Sequence, residues 1–307
     1  MSLKIAVMHS KVKIGAKRGN LRRLGLELGN IMDNWSDIDL VVLPAYPITG
    51  PLIGYYPPNR AKQAMKNMAE RISSKGTALG QSIVTISKWS EDYGINIIAG
   101  PILERAGPKL YSTVLHIAPD GSIEGKYRKI TLTRKEVEAG LSPGRSVEVF
   151  NIRGKGQVGV YVDEDLTHPE IFRVMQIRGS NIIIGFMLPY ESDYFRMTNY
   201  HDGRILTMEL DPVIEFLSVR SRETGLPVIL VGGGVEGVGH NNHNNVAFMP
   251  TIPSDPDVGV AKNRILDYDR LDSDPMIIEL DTRYSRPRSI NAIVAKSIVK
   301  ELCMSRG

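Results

Sequence analysis

The chain has 307 residues, a hydrophobic content of 42% and a formal charge of +4 from 38 basic and 34 acidic side chains. That length and apolar share suffice for a sizeable core, and so weak a basic excess gives no electrostatic footprint for nucleic acid. The longest apolar runs, such as 181–188, fall far short of the roughly 20 residues of a membrane span, and no charged-then-apolar signal opens the chain, so a soluble cytoplasmic protein is predicted.

In chain order, Lys4 to Met8 alternates as a short strand, and a loop rich in lysine and glycine follows. Lys11, Lys13, Lys17, Arg18, Arg22 and Arg23 form the densest basic cluster, but without interleaved aromatics it reads as a solvated loop and helix start. Asn20 is placed to cap a helix whose Leu21, Leu24, Leu28 and Ile31 share one face. A strand from Asp39 to Leu43 then runs into Pro44-Ala45-Tyr46-Pro47-Ile48-Thr49-Gly50. After the Pro57-Pro58 pair, helices are predicted over 59–74 and 79–93, and a strand over 95–100. Tyr111–Ala118 and Ile123–Lys129, joined by Pro119-Asp120-Gly121, read as a hairpin ending in Gly125-Lys126-Tyr127-Arg128-Lys129.

A strand over 147–150 follows the Pro143-Gly144 turn. Gly159-Val160-Tyr161-Val162-Asp163-Glu164-Asp165-Leu166-Thr167-His168-Pro169-Glu170 then reads as a buried strand stopping at a helix carried by Ile171, Val174 and Ile177, a usual place for catalytic groups. Beyond it come a strand after Arg178-Gly179-Ser180-Asn181, a long helix over 204–223, and strands at 228–231, 246–248 and 276–280. A last helix from Ser289 has Ile290, Ile293, Val294, Ile298 and Leu302 on one face, and packing there accounts for Cys303, the one cysteine. With no linker or repeat, the chain reads as one domain over 1–307, with 286–307 as a helical extension.

These segments resemble the nitrilase superfamily, the carbon-nitrogen hydrolases. That family's elbow is Gly-x-x-x-Cys-x-Asp-x-x-x-Pro-Glu; Gly159, Asp165, Pro169 and Glu170 fall in register and put Asp163 at the cysteine. Residues 39–45 and Thr49-Gly50 resemble its Asp-Leu-Val-Val-Phe-Pro-Glu and Thr-Gly runs, with Ala45 where the glutamate base stands. Tyr127-Arg128-Lys129 resembles its Tyr-Arg-Lys run, so Lys129 is the triad member that is kept. Glu136 takes the place of an auxiliary glutamate, with Glu138 also available, and Glu279-Leu280-Asp281 resembles the closing strand. Over 4–281 the resemblance implies an α/β fold, an α-β-β-α sandwich of two facing mixed sheets covered by helices. It also implies a homo-oligomer, usually a dimer, paired near the elbow helix, with the C-terminal helix placed to reach a neighbour.

The family's chemistry needs a thiolate to attack, a carboxylate to move protons and a cation to hold the oxyanion. Only the cation remains. Loss of a positioned base costs about 10²- to 10⁴-fold and loss of a nucleophile on the order of 10⁶-fold, so the usual reaction becomes negligible. The first reading is therefore a catalytically degenerate member that binds a small molecule in the family pocket, or a partner. The second is a hydrolase of amide, nitrile or N-carbamoyl bonds using Asp163 or water, and the third a structural subunit of an active relative.

For Asp163 itself, an ion pair with Lys129 joined by Glu136, a water-facing carboxylate and a nucleophile all stay open. The acidic lean of Glu136, Asp163, Glu164 and Asp165 leaves a cationic ligand or metal open beside a structural network, but neither a metal nor a cofactor is predicted. His240-Asn241-Asn242-His243-Asn244-Asn245 has histidines three apart, which could ligate a metal on a helix, but glycines from Gly232 to Gly239 favour a polar loop at the pocket rim. The loops over 50–60, 190–200 and 232–245 would set specificity.

Overall fold

The computed structural model describes residues 2–72, 79–187, 200–201, 204–205, 211–236, 246–248 and 275–282. Strands β1 (Ser2–Val7) and β2 (Lys11–Val12) precede helix α1 (Lys17–Asn34), strand β3 (Leu40–Val42) and helices α2 (Pro58–Met68) and α3 (Gln81–Tyr93). Then come β4 (Asn96–Ala106), β5 (Lys109–Ile117), β6 (Ile123–Arg128), α4 (Arg134–Ala139), β7 (Val149–Ile152) and β8 (Gly156–Val162). A 3₁₀ turn over Asp163–Thr167 leads into α5 (Pro169–Ile177) and β9 (Ile182–Phe186). The remaining elements are β10 (Tyr200–His201), β11 (Arg204–Ile205), α6 (Asp211–Thr224), β12 (Val228–Val231), β13 (Gly234–Val235), β14 (Val246–Phe248) and β15 (Met276–Asp281).

Two mixed sheets carry the fold, one ordered β15-β1-β3-β4-β5-β6 and the other β14-β12-β9-β8-β7. Strands β1, β3 and β4 pair in parallel, as do β8, β9 and β12, while the outer strands join antiparallel. Because side chains alternate along a strand, each sheet has two faces to bury. Ile5, Val7, Leu40 and Val42 of the first meet Val158, Val160, Ile182 and Ile184 of the second in one buried core. The first sheet's outer face is covered by α1 and α3 through Leu24, Leu28, Ile83 and Ile86. The second's is covered by α5 and α6 through Phe172, Met175, Val213 and Leu217. The result is the α-β-β-α sandwich of the expected class.

Several local expectations are corrected. Helix α1 starts at Lys17, and Asn20 lies inside it as a buried clamp: its carboxamide accepts from Lys13 N at 2.8 Å and donates to the carbonyls of Lys13 and Ile48 at 2.8 and 2.9 Å. Helix α2 stops at Met68 rather than Ser74, because Glu70 is drawn into bonds with the edge of β4, its N–H to Leu103 O and its carbonyl to Arg105 N, both at 2.7 Å. Strand β4 runs on to Ala106, paired with β5, so a second hairpin precedes the predicted one. In α5 the buried face is Ile171, Phe172 and Met175; Ile177 is exposed, since the unforeseen 3₁₀ turn fixes the helix's rotation about Tyr161, whose ring lies 5.0 Å from that of Phe172. Helix α6 begins at Asp211, and Arg204–Ile205 pairs with Tyr200–His201 instead of continuing it. No described helix is long and apolar enough to cross a membrane. The predicted helix from Ser289, Cys303 and the stretch 240–245 lie outside the described residues.

Candidate functional site

Three chain segments deliver side chains to one place between the sheets' ends. Alternation along β6 sends Tyr127 inward and Arg128 to the other face, where the guanidinium grips Glu104 at 2.7 Å through both Nε and Nη2 and stacks over Tyr111. Lys129, next in line, is anchored through its backbone, which donates to Ser112 O at 2.9 Å and accepts from Gly144 N at 2.7 Å. Helix α4 then presents Glu136 through a capping box. Thr133 Oγ1 accepts from Glu136 N, and Glu136 Oε2 accepts from Thr133 N at 2.8 Å.

The third segment is the elbow after β8. Asp163 has φ +46°, and Tyr46, after the end of β3, has φ +55°; they are the positive-φ residues other than glycine among those described. Such backbone costs about 1–2 kcal/mol per residue and clusters at functional positions. The two strained residues are joined, for Tyr46 Oη donates to Asp163 Oδ2 at 2.7 Å. Asp165 holds the turn itself: Oδ1 accepts from Thr131 N at 2.7 Å and Ile130 N at 3.2 Å, and Oδ2 from Tyr127 Oη at 2.7 Å and Val162 N at 3.2 Å.

At the centre, Lys129 Nζ meets three carboxyls: Glu136 at 2.8 and 2.9 Å, Glu164 at 2.5 Å and Asp163 at 3.3 Å. All four side chains are buried. The ion pair with Glu136 joining it is therefore the arrangement present, rather than an aspartate facing water. Glu138, the alternative auxiliary acid, is exposed and bonded to Arg134. Carboxylate oxygens of Glu136, Asp163 and Glu164 lie within 4.8 Å of one another, as metal ligands would, but the Lys129 ammonium already bonds all three. Ala45 is fully buried; its N–H donates to Gly232 O at 2.9 Å and its methyl carries no proton-accepting atom.

Among the described residues one ammonium faces three carboxyls, and burial sets the cost of ionising them. Burial pushes Asp163 up to about 7 against the pull of Lys129. Burial likewise raises Glu136 and Asp165. For Lys129 burial acts downward, but Asp163, Glu136 and Glu164 outweigh it and hold the ammonium well above the ordinary lysine range. Tyr46 is raised by burial and then by Asp163, so it remains a phenol and a donor. Asp163 Oδ1 has no hydrogen-bond partner among the described residues.

Beside this cluster lies a cavity of about 20 Å³, lined by Tyr46, Thr49, Leu52, Met65, Ser112 and Glu136 among others. Sequence reasoning missed Tyr46, Tyr127 and Ser112. Tyr46 follows Ala45 directly and Tyr127 lies in the quoted run, but nothing in the sequence showed which carboxyl each would meet.

Residues 4–207 match the sequence profile of the family described as carbon-nitrogen hydrolase. A probable nitrilase of Schizosaccharomyces pombe is 24% identical over 64% of this chain and 69% of its own length. An omega-amidase of Danio rerio is 29% identical over 39% of this chain, a match that spans 43% of the relative. Among solved structures, a nitrilase-superfamily protein of Saccharomyces cerevisiae superposes with a TM-score of 0.64 at 20% identity, covering 81% of this chain and 83% of that one. A variant amidase from Nesterenkonia, with the acetamide moiety of fluoroacetamide covalently added at its active-site cysteine, gives 0.62 at 16% identity, covering 96% of both chains.

Proposed function

The chain belongs to the carbon-nitrogen hydrolase family, and from that premise we propose that its hydrolytic centre is degenerate and serves to bind a small molecule or a partner rather than to cleave one. The observation that carries this reading is the fourfold contact of Lys129 Nζ with Glu136, Asp163 and Glu164 between 2.5 and 3.3 Å. An oxyanion forming in the pocket needs a preorganised positive potential. A cation surrounded by three carboxyls supplies the reverse, so the function Lys129 would serve in a hydrolase is cancelled by its neighbours. The nucleophile is missing too. The Nesterenkonia amidase variant carries the acetamide moiety of fluoroacetamide covalently added at its active-site cysteine, whereas here the elbow residue is Asp163 and its carboxylate is held by Lys129 and Tyr46. Attack by that carboxylate on an amide would give a mixed anhydride while expelling an amine, and Ala45 offers no acid to protonate it.

A second reading is kept because Asp163 Oδ1 has no partner among the described residues and the carboxyl is pushed up to about 7. It makes the protein a hydrolase of amide, nitrile or N-carbamoyl bonds in which Asp163 or a water acts. Turnover assays on a panel of these three classes separate the two. The degenerate reading expects none from the natural chain and a gain on pairing Ala45→Glu with Asp163→Cys; turnover by the natural chain that disappears in Asp163→Ala would establish the second. Homodimerisation through the α5–α6 layer belongs to the same proposal, and exposed Ile177 and Val219 on those helices support it; sedimentation of Ile177→Lys against the natural chain tests it.

A further inference from the structure

Arg18 and Arg22 stand in a basic stretch of sequence without interleaved aromatics, yet folding brings aromatic side chains to them from α3. Helices α1 and α3 contact each other on the outer face of the first sheet. Between them runs an open groove of about 790 Å³ whose lining includes Arg18, Arg22, Leu26, Trp89, Asp92 and Tyr93. That volume falls within the range of about 300–1,000 Å³ usual for small-molecule sites. None of these residues belongs to the cluster around Lys129.

Gly25 opens the groove. A Cβ there would stand 3.0 Å from Trp89 Cζ2, so the missing side chain lets the indole lie against α1. Trp89 is half-buried, while Leu26 and Tyr93 are 66% and 40% exposed, so apolar surface faces solvent here. Arg18 and Arg22 are exposed and four positions apart, which sets both guanidiniums on one face of α1. Neither side chain has an ion pair or hydrogen bond among the described residues. The first turns of α1 and α3 hold no acidic residue and neither helix has a side-chain cap, so their N-terminal ends add positive potential at the end lined by Arg18 and Gln81. The acid of the lining, Asp92, comes near the other end of α3.

We propose that this groove binds a small molecule made of a planar aromatic ring joined to a phosphate monoester, the chemistry of a nucleoside monophosphate. The ring lies against Trp89 and Leu26, and the phosphate, nearly a dianion at neutral pH, is held by Arg18 and Arg22. The spacing agrees. Along α1, Gly25 is three residues beyond Arg22 and seven beyond Arg18, rises of about 4.5 and 10.5 Å. A phosphate one sugar away from a ring at Trp89 therefore falls between the levels of the two arginines. Asp92 opposes a polyanion running the length of the groove, which favours a single nucleotide over a nucleic-acid strand. The chain's own stretch 283–307 is a poor occupant, because Arg283, Arg286, Arg288, Lys296, Lys300 and Arg306 set like charge against the guanidiniums, with Glu301 as its acid.

The test is calorimetric titration of the natural chain with adenosine monophosphate, adenosine and inorganic phosphate, each separately at pH 7.5. Saturable binding of the monophosphate is expected, with adenosine and phosphate each about tenfold or more weaker. The double substitution Arg18→Gln and Arg22→Gln, at exposed positions that leave the core intact, should weaken it about tenfold or more. In Trp35→Phe, where Trp89 is the remaining tryptophan, the monophosphate should quench the fluorescence along the same binding curve. No saturable binding of the monophosphate, equal binding of inorganic phosphate, or unchanged affinity in the double variant overturns the assignment. Tighter binding of single-stranded oligothymidylate than of the monophosphate, or a double variant that changes only the sedimentation of the chain, gives the groove to another occupant and overturns it as well.

Discussion

Replacing Lys129 with methionine removes the ammonium from the buried cluster while nearly conserving side-chain length, and its consequence can be sized. Taking away one partner of a buried ion pair costs about 3–5 kcal/mol. In this cluster three carboxyls, with oxygens within 4.8 Å of one another, lose their common cation together. The loss should therefore sit at the top of that range, about 5 kcal/mol at pH 7.5, or roughly 10 °C in Tm for a chain of this size. Acid offers relief. The folded variant takes up protons on carboxyls raised by burial, whereas the unfolded chain titrates near pH 4. The deficit should shrink as pH falls from 7.5 to 5, by about 1.4 kcal/mol per pH unit for each extra proton held. Urea unfolding followed by circular dichroism at pH 7.5, 6 and 5 measures it. A loss below about 1 kcal/mol at pH 7.5, or one that does not change with pH, would refute the buried-cluster account.

Asp163, Glu136 and Asp165 all have folded-state values raised above the unfolded ones, so their contribution is fully present below about pH 4 and is lost as pH rises through about 7 for Asp163. Lys129, also raised, loses its contribution only above the ordinary lysine range. Asp163→Asn should therefore flatten the decline in stability between pH 5 and 8, and denaturation curves as steep as those of the natural chain would count against the assignment. Gly185 faces the Tyr161 ring so closely that an added Cβ would stand 1.8 Å from Cζ, so Gly185→Ala should cost about 1–3 kcal/mol or more in thermal unfolding. Thr133→Ala should cost about 1 kcal/mol by removing the α4 cap. The bond from Thr133 N to Glu136 Oε2 is made by the backbone and survives the substitution, so the pH dependence of unfolding should stay close to that of the natural chain.

Much of this architecture could be read from residue patterns because buried strands such as 40–42, 182–186 and 228–231 are continuous apolar runs, and Leu21, Leu24, Leu28 and Ile31 mark a helix face without ambiguity. Lys129, Glu136, Ala45 and Asp163 were each located through their resemblance to family motifs. What spacing could not reveal was three-dimensional closure. Whether Glu136 or Glu138 turned inward depended on the phase of α4, which the capping box settles. The 3₁₀ turn over 163–167 was invisible because its determinants are distant: Asp165 is bound by Thr131 N and Tyr127 Oη, groups more than 30 positions away. Asn20 misled for the same reason, since a residue type suited to capping was recruited by the Ile48 carbonyl.

The pairing of β1 with β15 has a kinetic corollary. Ser2 Oγ donates to Glu279 Oε1 across 277 positions of sequence, and β1 lies between β3 and β15 in its sheet. A ribosome adding about 5–20 residues per second needs on the order of tens of seconds to travel from one strand to the other. Throughout that interval the nascent β1 exposes an unsatisfied edge, open to mispairing with a neighbouring chain, so the step that completes this sheet depends on one of the last described segments to be translated.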